Sequence, residues 1–288
     1  MYTHFYGLNE IPFSLSPDPK YIFKTDSYLE VMANLEYGIE HCKGIVAVTG
    51  EVGTGKTTTL RSAIKGFARE IASVYIFNPF ITVSEFFEQF ADGLVLGLPK
   101  GASKPDLLGA LGKLLAIRHS KGLRTVLIVD EAHGLPMSVL EEIRLLANFE
   151  TNSEKLLQII LCGQPELRDI LNSPGLRQLK QRISLRCSLK PLASSEVDKY
   201  IRFRLKVAGA EQVNLFEPDA VDLTARVSLG IPRVINNICD NALLYGCATA
   251  SRTICRSLIE EVIENLDLTP ADLMSVSPSD IKMMGAIG

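Results

Sequence analysis

The chain has 288 residues, 47% of them hydrophobic and 22% charged, with a formal net charge of −3. This length can bury one large core or two small ones, and the composition is that of an ordinary globular protein. The charge balance excludes a chain that is basic overall and built to coat nucleic acid or anionic membrane.

Met1–Glu10, "MYTHFYGLNE", has neither a basic start nor an apolar run, so no secretory leader is expected. No stretch reaches the roughly 18–20 apolar residues of a membrane span. The expected location is cytoplasmic, without direct membrane insertion and with any inner-membrane attachment made through a partner. Cys42, Cys162, Cys187, Cys239, Cys247 and Cys255 include no C-x-x-C pair, and the even spacing of the last three matches no metal site. They are expected as reduced, mostly buried thiols, with a redox role as the alternative.

Residues 1–43 read as a lead-in that packs on the core following it. Its "PFSLSPDPKYIF" (Pro12–Phe23) is rich in turn formers, and Ser27–His41 carries apolar residues at Leu29, Met32, Ala33, Leu35 and Ile39, a helical spacing. Strands and helices then alternate through 44–192. Strands are predicted at Gly44–Gly50, Ser73–Pro79, Arg124–Asp130, Leu156–Gly163 and Arg182–Leu189. Helices are predicted at Lys56–Glu70, Val83–Leu96, Pro105–His119 and Ser138–Phe149. Short β-branched strands separated by helices predict a parallel sheet covered on both faces, a three-layer α/β sandwich. From about Pro191 the pattern is helical. Ser195 with Asp198 predicts a capping box for a helix to Ala208. Glu217-Pro218 starts a second helix that Gly230 ends, Pro232 starts a third, and Arg256–Leu266 reads as a fourth. Residues 193–267 are thus expected as a small all-helical domain and 268–288 as a flexible tail.

Gly50-Glu51-Val52-Gly53-Thr54-Gly55-Lys56-Thr57 matches G-x-x-x-x-G-K-[ST], between a buried strand and a helix. Glycines let such a loop curl so that its N–H groups point at phosphate oxygens, and the helix that follows adds its N-terminal partial charge. The loop from Gly50 through Thr58 is therefore the candidate ATP-binding segment. Lys56 is expected to reach the β- and γ-phosphates, and Thr57 to hold Mg²⁺ with its hydroxyl. A chance Gly-rich turn is the alternative.

Four apolar residues, Val126–Val129, lead into Asp130-Glu131. A strand ending in Asp after a P-loop completes an NTP site: Asp130 as a metal ligand, Glu131 as the acid that polarises attacking water. The second acid predicts hydrolysis rather than binding alone. His133 is expected to orient a loop. Asp130-Glu131-Ala132-His133 also spells a helicase signature, but a helicase needs two consecutive α/β lobes, and the 158 residues after Asp130 read mostly as helices. No S-A-T or Q-x-x-G-R-x-G-R motif is present.

"FYGLNEIPFSLSPDPKYIF", "TGEVGTGKTT", "VDEAHGLP", "LCGQPELRDIL", "LKQRIS" and "GIPRVINNICDNAL" together resemble AAA+ ATPases of the general secretion pathway protein A (ExeA/MshM-like) family, over roughly Phe5 to Leu266. That family usually has DEAQ where this chain has DEAH. The resemblance implies a P-loop NTPase (AAA+) fold with a helical lid and ATP sites at subunit interfaces of a homo-oligomer, a hexamer-like ring or helical filament. It implies a sensor role for Gln164 and an arginine finger at Arg182, with Arg177 and Arg186 as rivals. It also implies a second sensor at Arg233. Residue by residue, a turn-capping amide is the alternative for Gln164 and a surface ion pair for Arg182. The aromatics of "FYGL…PF" either fill a core or lie by the adenine.

The family implies a secretion, pilus or exopolysaccharide machine as partner. Its secretion proteins often carry a membrane span and a peptidoglycan-binding domain after the ATPase, and neither appears in these residues. The chain is also similar to MuB/TnsC-like DNA-transposition ATPases. In favour of DNA, Arg177–Lys206 holds nine Lys or Arg and two acids. A nucleotide-gated scaffold is the third reading.

Overall fold

The computed structural model describes residues 2–67, 71–99 and 101–268. In chain order its elements are α1 (Tyr2–Phe5), α2 (Asp26–Glu40), β1 (Ile45–Gly50), α3 (Lys56–Gly66), β2 (Ile71–Ile76), α4 (Val83–Gly93), α5 (Lys104–Ser120), β3 (Arg124–Val129), α6 (Met137–Leu146), β4 (Gln158–Gly163), α7 (Glu166–Asn172), α8 (Arg177–Lys180), β5 (Ile183–Leu189), α9 (Ser194–Val207), α10 (Pro218–Ser228), α11 (Pro232–Ala248) and α12 (Arg256–Asn265). The described residues divide into two compact units: Lys24–Lys190, and those up to Phe23 together with those from Pro191 onward.

In the first unit five strands pair in parallel in the order β2-β3-β4-β1-β5. β4 is buried along its whole length, and β1 and β3 nearly so, as strands covered on both faces must be. β5, at an edge, alternates exposed and covered positions. One face packs Ile45, Ala47, Leu127, Val129, Ile159 and Leu161 against apolar residues of α4 to α8. Gly38 of α2 lies against Val46 and Leu185 of the other face; a Cβ there would sit 2.8 Å from Val46. The helix starts follow local chemistry. Thr25 caps α2, and Thr82 with Glu85 forms a full capping box on α4.

β2 runs earlier than the predicted Ser73–Pro79. Ile71 and Ala72 pair with Arg124 and Thr125, and the strand stops at Ile76, before Pro79, which has no N–H for the ladder. α3 ends at Gly66, capped by Phe67, and the remainder of its predicted span, 68–70, lies outside the described residues.

The second unit corrects the expectation of one lead-in, 1–43, packed on the sheet domain. Tyr2, Tyr6, Leu8, Phe13 and Tyr21 share a core with Val197, Tyr200, Leu205, Ile235, Ile238 and Leu243. The reason is polar as well as apolar. Arg204, only 6% exposed, donates from Nε to the Pro12 carbonyl at 2.6 Å and from a terminal nitrogen to the Tyr200 hydroxyl at 2.9 Å. Its guanidinium lies 4.5 Å from the Tyr21 ring centre. Tyr2 adds a hydrogen bond to Asp240. The aromatics of the first residues are thus core fillers of the helical unit.

α9 begins at Ser194 without the predicted Ser195–Asp198 box. Glu196 accepts the Ala193 N–H at 2.8 Å instead, and Asp198 pairs with Arg202 four residues on. α10 ends through Leu229 (φ 51) and Gly230 (φ 73), and a Cβ on Gly230 would lie 1.9 Å from the Leu192 carbonyl oxygen. The tail expected over 268–288 falls, from 269 on, outside the described residues.

Candidate nucleotide site

The loop after β1 is built on backbone that only glycine adopts freely. Gly53 has φ 82 and Gly55 φ 97. Gly50 cannot carry a side chain either, since a Cβ would lie 2.6 Å from the Leu189 carbonyl oxygen and 3.1 Å from Thr54 Oγ1. Thr54 folds its hydroxyl back onto the Glu51 carbonyl at 2.8 Å. Lys56 is 6% exposed, and its Nζ donates to the carbonyls of Gly50 (2.8 Å) and Glu51 (3.0 Å). Those bonds hold the ammonium against the loop's own backbone. Glu51 and Val52 at the crest are exposed, and Thr57 and Thr58 follow on the first turn of α3.

The acids arrive from β3. The Asp130 N–H donates to the Ile76 carbonyl at 2.9 Å, which extends the β2–β3 pairing by one step. The Asp130 carboxylate, 4% exposed, accepts the Thr57 hydroxyl at 2.7 Å and the Glu131 N–H at 3.0 Å. Glu131 takes φ 52, ψ 34, a left-handed conformation that is strained for a residue with a Cβ. Its carboxylate lies beside the ring of His133 in the turn that follows.

β4 lies between β3 and β1 in the sheet, so Gln164 emerges between the P-loop and the acids. Its backbone carbonyl accepts the Leu167 N–H and so starts α7, while its side-chain nitrogen lies 3.2 Å from His133 Nε2. The amide does not cap the turn. Gly163 lets the strands meet here, because a Cβ would come within 3.0 Å of Leu167 and 3.3 Å of the His133 nitrogen.

A Mg-nucleotide fits what these residues offer: a glycine-built loop at the start of a helix, a buried ammonium, and hard oxygen donors from one hydroxyl and one carboxylate. The residues that converge are Gly50 to Thr58, Asp130, Glu131 and Gln164. Arg182 does not join them. Ile183 pairs with Ile45 at the start of β1, whereas the P-loop follows its end, about 17 Å further along at roughly 3.3 Å per residue. Arg177 begins α8 and Arg186 sits mid-strand on β5. Arg233 stands in the first turn of α11, in the helical unit.

One feature had no sequence signal. Tyr75 stacks on Phe77 at 5.4 Å, with Arg61 of α3 over the Phe77 ring, and burial lifts the Tyr75 hydroxyl to about 12. The basic block Arg177–Lys206 divides between the two units, and its part in the helical unit contains the buried Arg204 and the paired Arg202.

The sheet order, the P-loop and the acid pair at the neighbouring strand end define a AAA+ P-loop NTPase fold, and a AAA domain model matches residues 39–171. Cdc6p of Pyrobaculum aerophilum has this fold, with a TM-score of 0.69 at 16% identity over 88% of this chain and 70% of that one. Within this class the chain is similar to general secretion pathway protein A. It is 45% identical, over 88% of its length, to general secretion pathway protein A of Aeromonas hydrophila and covers 46% of that protein. It is also 34% identical, over 50% of its length, to the Mu-like prophage FluMu DNA transposition protein B of Haemophilus influenzae, covering 46% of it. The chain thus spans about half the length of the curated relatives it matches. Among the described residues no helix is long and apolar enough to cross a membrane.

Proposed function

We propose that the chain is a Mg²⁺-dependent ATP hydrolase that works as a homo-oligomer and drives assembly of a secretion, pilus or exopolysaccharide system. The observation that carries the hydrolytic reading is Glu131. A second carboxylate, held in strained left-handed backbone one residue beyond the Asp130–Thr57 pair, is more than a binding switch requires.

The loop N–H groups from Gly50 to Thr58 bind and orient the phosphate chain, and Lys56 neutralises its outer charge. Thr57 and Asp130 would hold Mg²⁺, which when bound would withdraw negative charge from the phosphates. Glu131 takes a proton from the attacking water, and Gln164 positions that water. Arg182 serves a neighbouring subunit. Its place beside the start of β1, far along the strand from its own Lys56, supports a role in trans. Arg233 reports nucleotide state to the helical unit. The 45% identity to general secretion pathway protein A supports the choice of machine.

The test is turnover at a concentration that permits oligomers. Glu131→Gln is expected to lower kcat by about 10²–10⁴-fold while nucleotide affinity stays within about twofold. Wild-type protein that binds ATP but never releases phosphate would leave a nucleotide-gated scaffold as the better reading.

Similarity to a DNA transposition protein B favours a second reading, an ATPase that binds DNA. Arg177, Lys180, Arg182, Arg186 and Lys190 are the sheet unit's contribution to the basic block. ATP-dependent DNA affinity that falls steeply with salt supports this reading, and its absence at low ionic strength removes it.

A further inference from the structure

His133 stands where two strand ends meet. Its Nδ1 lies 3.4 Å from Glu131 Oε2, and its Nε2 lies 3.2 Å from the side-chain nitrogen of Gln164. The Gln164 backbone nitrogen is also 3.4 Å from Nδ1. Glu131 Oε2 is buried and has no hydrogen-bond partner among the described residues; His133 Nδ1 is in contact with it without the alignment of a hydrogen bond. A buried carboxylate oxygen without a donor is costly.

A neutral imidazole has one N–H and one bare nitrogen. If Nε2 carries the proton, Nδ1 accepts the Gln164 N–H, and Glu131 Oε2 is left with no donor. If Nδ1 carries it, the ring donates to Glu131 and Nε2 accepts the Gln164 amide. The second pattern gives each of the three side chains a partner once the ring tilts toward Glu131, and it gives up the longer 3.4 Å contact from the Gln164 backbone N–H.

We propose that His133, as its Nδ1–H tautomer, is a positioning residue that ties Glu131 to Gln164, so that the two groups that prepare water move as one. The effect on turnover rests on the ATPase reading above; the tautomer does not. The ring clamps the Glu131 carboxylate against the strain of its left-handed backbone. It also draws the Gln164 side chain away from the turn it would otherwise cap.

Two measurements test this on the full chain. The first is nitrogen-15 NMR of histidine-labelled protein, which has four histidines, with the His133 signal identified by its loss in His133→Gln. A protonated Nδ1 is expected, with the Nδ1–H preference lost in Glu131→Ala; a ring protonated only at Nε2 overturns the proposal. The second is steady-state ATP turnover. His133→Ala is expected to lower kcat by about tenfold or more at unchanged nucleotide affinity. His133→Gln, whose amide can donate to one partner and accept from the other, should recover most of the rate. His133→Ala combined with Gln164→Ala should cost little more than either alone. Wild-type kcat in His133→Ala overturns the proposal. If the wild type hydrolyses no ATP, the functional reading falls, and the tautomer alone decides the His133 bridge.

Discussion

Thr57 and Asp130, 73 residues apart in sequence, are joined by a 2.7 Å hydrogen bond from Thr57 Oγ1 to Asp130 Oδ2. The same carboxylate anchors the Glu131 N–H, so one side chain links the first turn of α3, the end of β3 and the strained acid. Removing its charge should remove the metal. Asp130→Asn keeps the size and an acceptor for Thr57 but offers Mg²⁺ no anion. Turnover is expected to fall by several kcal/mol of transition-state stabilisation, on the order of a thousandfold. Nucleotide binding should become insensitive to added Mg²⁺. A magnesium titration of fluorescent-nucleotide affinity checks this, and an unchanged titration curve would show that Asp130 does not hold the ion.

Gly230 should tolerate no side chain. Its φ of 73 already penalises a Cβ, and that atom would meet the Leu192 carbonyl oxygen at 1.9 Å. The Leu192 N–H meanwhile donates to the Gly230 carbonyl at 2.8 Å, so the two segments cannot part without losing that bond. Gly230→Ala is expected to destabilise the helical unit by about 2–4 kcal/mol, strain and overpacking together. Urea unfolding followed by hydrogen exchange should place the loss in α9 to α11. Gly66→Ala, with nothing within 4 Å of its Cβ, is the neutral control.

Much of this was legible in the sequence because it is local or periodic. The motif Gly50–Thr57 specifies its own turn and helix start, and the apolar run Val126–Val129 reads directly as a buried strand before Asp130. The order of the last helices followed from Pro218, Gly230 and Pro232. What escaped depends on partners distant in the chain. Residues 2–23 carry no periodicity that says which core they join, and the answer lies in Arg204, some 190 residues further on. The α9 cap went to Glu196 rather than Asp198 because Asp198 found Arg202 on its own helix. The contact between His133 and Gln164 joins two strand ends that only the sheet order makes neighbours.

Arg204 should be irreplaceable by lysine. Its fork serves the Pro12 and Ser14 carbonyls and the Tyr200 hydroxyl at once, and its flat face lies against Tyr21, with no carboxylate partner among the described residues. A lysine has neither the fork nor the planar face. Arg204→Lys and Arg204→Ala are both expected to cost about 2–4 kcal/mol, because carbonyls and a hydroxyl lose their donors. Both should expose residues 2–23 to early cleavage in limited proteolysis, with the sheet unit cut no faster than in the wild type. Wild-type resistance in Arg204→Lys would show that charge alone suffices.

The last prediction concerns alkaline pH. Burial pushes Cys42 up to about 11 and Cys187 to about 12 from 9.0, and Tyr75 to about 12 from 10.0, all within the sheet unit. In each case the folded chain holds its proton more tightly than the unfolded chain. Between the two pKa values the unfolded chain binds fewer protons, so unfolding stability falls as pH rises. These contributions are complete below about pH 8.5, the free-thiol range. They are lost as pH climbs toward 12. Melting temperature is therefore expected to be flat from pH 7 to about 8.5 as far as these groups go, then to fall. Cys187→Ala should fall less steeply. Thiol labelling supplies the second check. Cys255 is shifted down, first by the Ser257 hydroxyl and then by the Leu258 N–H, at the start of α12. It should react with a disulfide reagent first at neutral pH. Cys162 and Cys239, whose thiols burial holds well above the usual range, should react only on unfolding. Rapid labelling of Cys162 in folded protein would mean that the sheet opens in a way its buried central strands do not suggest.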